Sequence, residues 1–313
     1  MNIPAFFIVG TPKAGTSSLY DYLCDHSEIV MSNPKEPHYF CQDFSEKLRV
    51  GNSVTDYLTK CFGGSEYDGK LRGEATSTYL YSDEAVPNIL ALNAAAKFIV
   101  MLRNPYDMAL ALHSQCVRDG DENVRSFDEA WQLQELRAMG LKVPPKCREK
   151  KFLQYASFCK TGTQVERLLQ LAPLGNIHFV FFEDFCHSTE KEFSSILEFL
   201  GVKHRALRSF PIRNTRKDMR SFAVGEALNR LPNWLISIVS VTKRLLGIRS
   251  LGFMRRVRSF NEKPSQRNEP DYVTIRAMED VFEKEINKLS QLTGRDLSIW
   301  SKGSRPAERS KYV

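Results

Sequence analysis

The feature that most constrains this chain lies near its start, where the apolar run Phe6-Phe7-Ile8-Val9 opens directly into Gly10-Thr11-Pro12-Lys13-Ala14-Gly15-Thr16-Ser17-Ser18-Leu19. Aromatic and β-branched residues in succession favour a buried strand. The turn that follows supplies two glycines, a lysine and several hydroxyls before a helix begins. A strand, such a turn and a helix N-terminus together make an anion cradle. Successive backbone N–H groups and the positive helix end face one point, and the lysine adds a mobile charge. An ATP-binding Walker A loop places its lysine directly after the second glycine. Here Thr16 occupies that place, and Lys13 precedes Gly15 by two residues. The loop suits a phosphate, but its lysine is not placed as in an ATPase.

The same alternation continues downstream. Strands are expected at residues 5–10, 71–75, 97–103 and 176–182, and Lys97-Phe98-Ile99-Val100-Met101-Leu102-Arg103 has the continuous apolar character of a strand buried on both faces. Helices are expected at 15–25, 53–61, 83–95, 106–118, 127–138, 162–171, 189–200, 222–247 and 271–293. Strands alternating with helices indicate an α/β fold, a parallel sheet flanked by helices on both faces. Ligands of such sheets sit at the carboxyl ends of the strands, where the strand order reverses. The first loop and Arg103 both lie at such ends. The Pro-containing stretch 261–270 reads as a loop and no internal repeat is visible, so a single domain over 1–313 is expected.

Composition narrows the choice of partners. With 42% hydrophobic and 26% charged residues, a chain of 313 can bury a substantial core. No run of about 18 apolar residues marks a membrane span, and no leader pattern opens the chain. Seven scattered cysteines without a Cys-x-x-Cys pair favour a reducing compartment over a disulfide frame or a zinc site, so a cytoplasmic location without a bound metal is expected. The net charge of +7 is matched by one segment, 227–261, which holds seven basic residues and no acidic one. Leu231, Leu235, Ile238 and Leu245 are interleaved there at helical spacing. Three readings stay open for 228–258: a core helix with a basic outer face, a peripheral membrane contact, or a surface for a polyanionic substrate. No nucleic-acid partner is expected.

Two further clusters carry chemistry. Arg103-Asn104-Pro105-Tyr106-Asp107 ends the buried strand with a guanidinium suited to bidentate phosphate binding, although an arginine there also serves to pair a carboxylate at the sheet rim. Two phosphate-type sites at two strand ends imply one ligand with two separated anionic groups. Asn33-Pro34-Lys35-Glu36-Pro37-His38-Tyr39-Phe40 is a Pro-broken loop that sets Glu36 and His38 beside aromatic residues. Taken alone, a loop glutamate is usually only solvated.

Together these residues resemble the sulfotransferases that use 3′-phosphoadenosine-5′-phosphosulfate (PAPS). Residues 7–17 are similar to their 5′-phosphosulfate loop, and 98–113 to their 3′-phosphate motif. Residues 35–40 are similar to the glutamate-bearing segment of the carbohydrate, heparan sulfate-type branch, whose look 73–79 and 292–300 also share, as in a soluble, bacterial-like member. The resemblance implies a P-loop-like sulfotransferase fold and transfer of a sulfuryl group to a hydroxyl of a carbohydrate or glycoconjugate. It gives Lys13 the bridging oxygen, the backbone N–H groups of Ala14, Gly15, Thr16 and Ser17 the 5′-phosphate, and Arg103 the 3′-phosphate. Glu36 becomes the general base, His38 aligns the acceptor or Glu36, and no metal is required. The segment Asn214-Thr215-Arg216-Lys217, with Arg216 as its nucleotide contact, and the loop 250–268 become candidates for closing over the nucleotide.

Two positions depart from the family pattern. The serine usual eight residues after the arginine is Ala111, with Ser114 one turn along as a substitute, and the usual arginine at 108 is Met108. Competing readings are a P-loop small-molecule kinase, which would need Glu74 or Asp107 as Mg²⁺ ligands, and a catalytically lapsed nucleotide-binding protein.

Overall fold

A computed structural model describes residues 3–63, 69–203 and 269–301, together with two short strands at 217–219 and 262–264. One parallel sheet is built from β1 (Phe6–Gly10), β2 (Ile29–Met31), β3 (Leu71–Ala75), β4 (Lys97–Leu102) and β5 (Ile177–Phe181), in the order β2-β3-β1-β4-β5. The strands β6 (Lys217–Met219) and β7 (Glu262–Pro264) pair antiparallel as a separate ribbon.

The helices are α1 (Thr16–Cys24), α2 (Val54–Phe62), α3 (Ala85–Leu92), α4 (Pro105–Asp119), α5 (Phe127–Gln132) and α6 (Gln134–Ala138). They continue with α7 (Tyr155–Phe158), α8 (Thr161–Leu171), α9 (Phe182–His187), α10 (Thr189–Leu200) and α11 (Tyr272–Thr293). The expected helix over 127–138 is thus two short ones, and β2, α7 and α9 were not foreseen. The expected helix 222–247, the basic segment 227–261 and Arg216 lie outside the described residues, as does most of 250–268.

All five residues of β1 are buried. The pleat divides the apolar residues of the central strands between two cores. Phe7 and Val9 join Phe98 and Val100 on the face covered by α4, α8 and α11, where Met108, Val165 and Phe282 pack. Phe6 and Ile8 join Ile99 and Met101 on the other face, against Leu19 and Leu23 of α1 and Phe193 and Ile196 of α10. Gly73 is required opposite Phe6, because a Cβ there would lie 2.0 Å from the ring tip. From β1 the chain first builds β2 and β3 on one side and then crosses to β4 and β5 on the other. The reversal falls between β1 and β4, and the loops that follow these two strands face one crevice.

Candidate functional site

The first loop is tied to the neighbouring strand. The Thr11 amide donates to the Met101 carbonyl at 2.6 Å, and the Thr11 hydroxyl donates to the same oxygen at 3.0 Å. Beyond it the backbone turns through left-handed conformations at Lys13 (φ 64°) and Gly15 (φ 90°). Glycine takes that conformation freely, and a Cβ at Gly15 would sit 3.3 Å from Met101 and 3.4 Å from Phe185. The Ser18 and Leu19 amides reach back to the Gly15 carbonyl at 3.0 and 3.1 Å. Gly15, Thr16 and Ser17 precede those bonds, line the cavity described below, and leave their amides without intrahelical acceptors. The Ala14 side chain is buried outside the cavity lining, and its amide donates to the Thr11 carbonyl at 3.4 Å.

Arg103 meets this loop from β4. Asn104 caps α4 by accepting from the Tyr106 amide at 3.0 Å, with Pro105 at the first helical position. That cap fixes the corner from which the Arg103 guanidinium donates to the Lys13 carbonyl at 2.6 Å and lies 4.3 Å over the Phe182 ring. The opposite side of the corner is held by residues far along the chain. The Asn104 side-chain amide donates to the Trp300 carbonyl at 3.2 Å, and the Trp300 indole donates to Glu183 at 3.1 Å. Arg295 makes a two-pronged pair with Asp184, one prong at 2.9 Å, and stacks 4.1 Å over Phe181. Burial, aided by the charges of Arg118 and Arg103, pushes the Lys13 ammonium down to about 8.

Glu36 lies on the loop after β2. Its amide donates to the Ala75 carbonyl at 2.9 Å, and both Glu36 (φ 59°) and His38 (φ 52°) have left-handed backbones. One carboxylate oxygen accepts from Lys35 and from the Ser77 hydroxyl, each at 2.8 Å. The His38 Nε2 stands 3.9 Å from the other oxygen, while its Nδ1 is 3.0 Å from the Thr78 hydroxyl. Burial by itself raises the Glu36 carboxyl, but the Lys35 charge and hydrogen bond, His38 and Ser77 outweigh it and hold it at about 2. Burial pushes the His38 imidazole down, so it favours the neutral form. Sequence reasoning assigned no role to Ser77 or Thr78; their only signal was the family look of the segment that carries them.

A cavity of about 690 Å³ joins these groups: Lys13, Gly15, Arg103, Glu36 and His38 all line it. It runs along one face of α4, where Ala111, Leu112, Gln115, Cys116 and Asp119 recur at helical spacing over about 12 Å. Ser114 does not face it. Its hydroxyl donates to the Leu110 carbonyl at 3.0 Å, so the expected substitution for the missing serine is not made in this conformation. Met108 is fully buried in the core behind the helix.

The carboxylates a kinase would need do not reach the cavity. Glu74 is wholly buried on the inner strand β3, where it accepts from Tyr57 and, at 2.9 Å, from Thr76, and burial pushes its carboxyl up to about 7. Neither Glu74 nor Asp107 lines the cavity. Among the described residues no group of three or more His, Cys, Asp or Glu side chains is arranged to hold a metal ion. No described helix is long and apolar enough to cross a membrane.

Comparison with known proteins gives this geometry a family. The sulfotransferase domain family matches residues 4–226. Mouse heparan sulfate glucosamine 3-O-sulfotransferase 3B1 is 25% identical over 201 residues, 64% of this chain and 47% of that protein. Mouse carbohydrate sulfotransferase 15 is 31% identical over 34% of this chain and 26% of its own length. The membrane-associated sulfotransferase kil1 of Dictyostelium discoideum is 30% identical over 35% of this chain and 22% of its own. The chain thus spans less than half the length of each of these relatives. Among solved structures, a sulfotransferase from Alicyclobacillus acidocaldarius superposes with a TM-score of 0.66 at 23% identity, covering 96% of this chain and 99% of that one. That likeness concerns the fold, a parallel five-stranded sheet flanked by helices. With the family match covering more than half of its residues, the chain belongs to the sulfotransferase domain family.

Proposed function

We propose that the protein transfers a sulfuryl group from PAPS to a hydroxyl of a carbohydrate or glycoconjugate. The observation that carries this reading is the meeting of the two strand-end loops. Arg103 bonds to the carbonyl of Lys13 at 2.6 Å, and both side chains line the cavity that also holds Glu36. The first helical amides, the lysine and the arginine together suit a ligand with two separated anionic groups. When bound, PAPS supplies an activated sulfuryl group attached to a phosphate leaving group.

The residues of the chain do the rest. Amides of Gly15, Thr16 and Ser17 hold the 5′-phosphate, and Arg103 holds the 3′-phosphate. Lys13 donates to the bridging oxygen, which keeps the electron pair as the sulfur–oxygen bond breaks. Glu36 takes the proton of the acceptor hydroxyl as its oxygen bonds to sulfur, and His38 orients that hydroxyl. The depressed carboxyl of Glu36 makes it a weak base while Lys35 stays on it, so the reading requires Lys35 to shift as the acceptor binds.

Thermal unfolding with 3′,5′-ADP and, separately, with Mg·ATP tests the assignment. A ligand at about 100 times its Kd stabilises the folded state by about 2.7 kcal/mol. A rise in Tm with 3′,5′-ADP alone, followed by release of 3′,5′-ADP from PAPS when an acceptor is added, supports it. A response to Mg·ATP alone replaces it with the kinase. Binding of 3′,5′-ADP without turnover on any hydroxyl favours a lapsed enzyme, with Ala111 as its mark.

A further inference from the structure

The far end of the cavity describes the acceptor. Beside Glu36 the lining includes four large apolar side chains, Leu48, Leu112, Phe152 and Phe158, among its charged groups. Its charges are already matched. Arg148 makes bidentate bonds to the buried Asp121 carboxylate, at 3.1 Å from Nε and 2.5 Å from Nη2, and stands 3.7 Å from Asp119. Lys35 is paired with Glu36. Arg118 stands 3.9 Å from the other oxygen of Asp119, so among the described residues each carboxylate lining this end, Glu36, Asp119 and Asp121, has a cation beside it. A polyanionic glycan entering here meets cations whose charge is already matched by carboxylates. An uncharged molecule with an apolar part meets a wall that its burial favours by roughly 25 cal/mol per Å².

From this juxtaposition of apolar side chains with charges that are already paired we infer that the acceptor is a neutral amphiphile. Its hydroxyl belongs to a sugar or alcohol next to an alkyl chain or ring, and it is not a sulfated or uronate-rich polysaccharide. The inference rests on the reading of the cavity as a sulfuryl-transfer site and narrows its acceptor class. It separates this chain from what the names of its heparan sulfate relatives suggest.

The test presents the purified protein with radiolabelled PAPS and three acceptors in turn: an alkyl glucoside below its micelle concentration, glucose, and a heparan sulfate oligosaccharide. Binding of 3′,5′-ADP is measured in parallel. The expected result is a kcat/KM for the alkyl glucoside at least about tenfold above both others, because burying three or four methylenes is worth that much and more. Phe152→Ala should raise KM for the alkyl glucoside and leave 3′,5′-ADP affinity unchanged. Asp119→Lys should improve the oligosaccharide relative to the alkyl glucoside. Equal or better use of the oligosaccharide by the unaltered protein overturns the inference, and so does 3′,5′-ADP binding without any transfer to the alkyl glucoside; both leave the nucleotide assignment standing. Absence of 3′,5′-ADP binding removes that assignment, and the inference with it.

Discussion

Arg103 and Lys13, 90 residues apart in sequence, are joined by a 2.6 Å bond from the guanidinium to the lysine carbonyl. The arginine therefore supports the first loop as well as facing the cavity. Its planar fork and its stacking over Phe182 are features that lysine cannot reproduce. Arg103→Lys is expected to weaken 3′,5′-ADP binding nearly as much as Arg103→Met, by about 1.5–3 kcal/mol, or roughly 10- to 150-fold in Kd. Isothermal titration calorimetry on both variants checks this. Retention of full affinity by the lysine variant would reduce Arg103 to a point charge.

Lys13 gives a pH signature. Its ammonium is pushed down to about 8 in the free protein, and a bound phosphate favours the charged form. Nucleotide affinity should thus be greatest below pH 8 and fall as pH rises through it, by at most about tenfold per pH step. Calorimetry at pH 8 in buffers of different ionisation heat should show uptake of about half a proton per 3′,5′-ADP bound. A Kd that stays constant from pH 7 to about 9 contradicts the assignment.

Glu36 and Lys35 are separable by kinetics. Glu36→Gln keeps the shape but cannot take a proton, so kcat should fall about 10²- to 10⁴-fold with 3′,5′-ADP affinity unchanged. Lys35→Met removes the largest influence that lowers the carboxyl. The Glu36 group then moves up from about 2 towards its ordinary 4.5. The acid limb of the kcat/KM profile should move to higher pH in that variant. A profile that does not move places the rate-controlling proton elsewhere.

Glu74 provides a stability test away from the site. Burial raises its carboxyl from an ordinary 4.5 to about 7 in the folded state. The native form therefore binds more protons than the unfolded chain between those values. Its contribution is complete below about pH 4.5 and is lost as pH rises through 7, by an amount on the order of 3 kcal/mol. Glu74→Gln should remove that slope, and urea midpoints at pH 5 and 7.5 for both proteins will show whether it does.

A buried ion pair directly follows the cavity-lining Asp121 in sequence. Arg137 and Glu122, both fully inaccessible, are bonded at 2.5 and 2.7 Å, and the Tyr155 hydroxyl donates to the same carboxylate at 2.8 Å. Removing one charge leaves the other buried and alone. Arg137→Met is expected to cost about 3–5 kcal/mol, and Arg137→Met with Glu122→Leu less than that. Denaturant unfolding of the two variants measures the difference.

How much of this was legible in the sequence depended on the range of the interactions. The first loop, Arg103 and Glu36 could be found because each sits at a local punctuation mark: a glycine, a strand end, a proline-bounded turn. The strand at Ile29–Met31 escaped notice because three residues carry no periodicity, and its bonds come from β3. Ser77 and Arg148 have no local mark either. Their value lies in partners 41 and 27 residues away, Glu36 and Asp121. Ser114 misled for the opposite reason. Helical spacing puts it near Ala111, but its hydroxyl bonds to the carbonyl four residues back, as serines within helices often do.

The bond between Asn104 and the Trp300 carbonyl spans 196 residues. A ribosome delivers the chain in order, so the Arg103 corner emerges early and must wait for this support. Nucleotide-binding competence should therefore arrive late in synthesis. Nascent chains halted before residue 295 would carry both strand-end loops, yet lack the bond from Asn104 to Trp300.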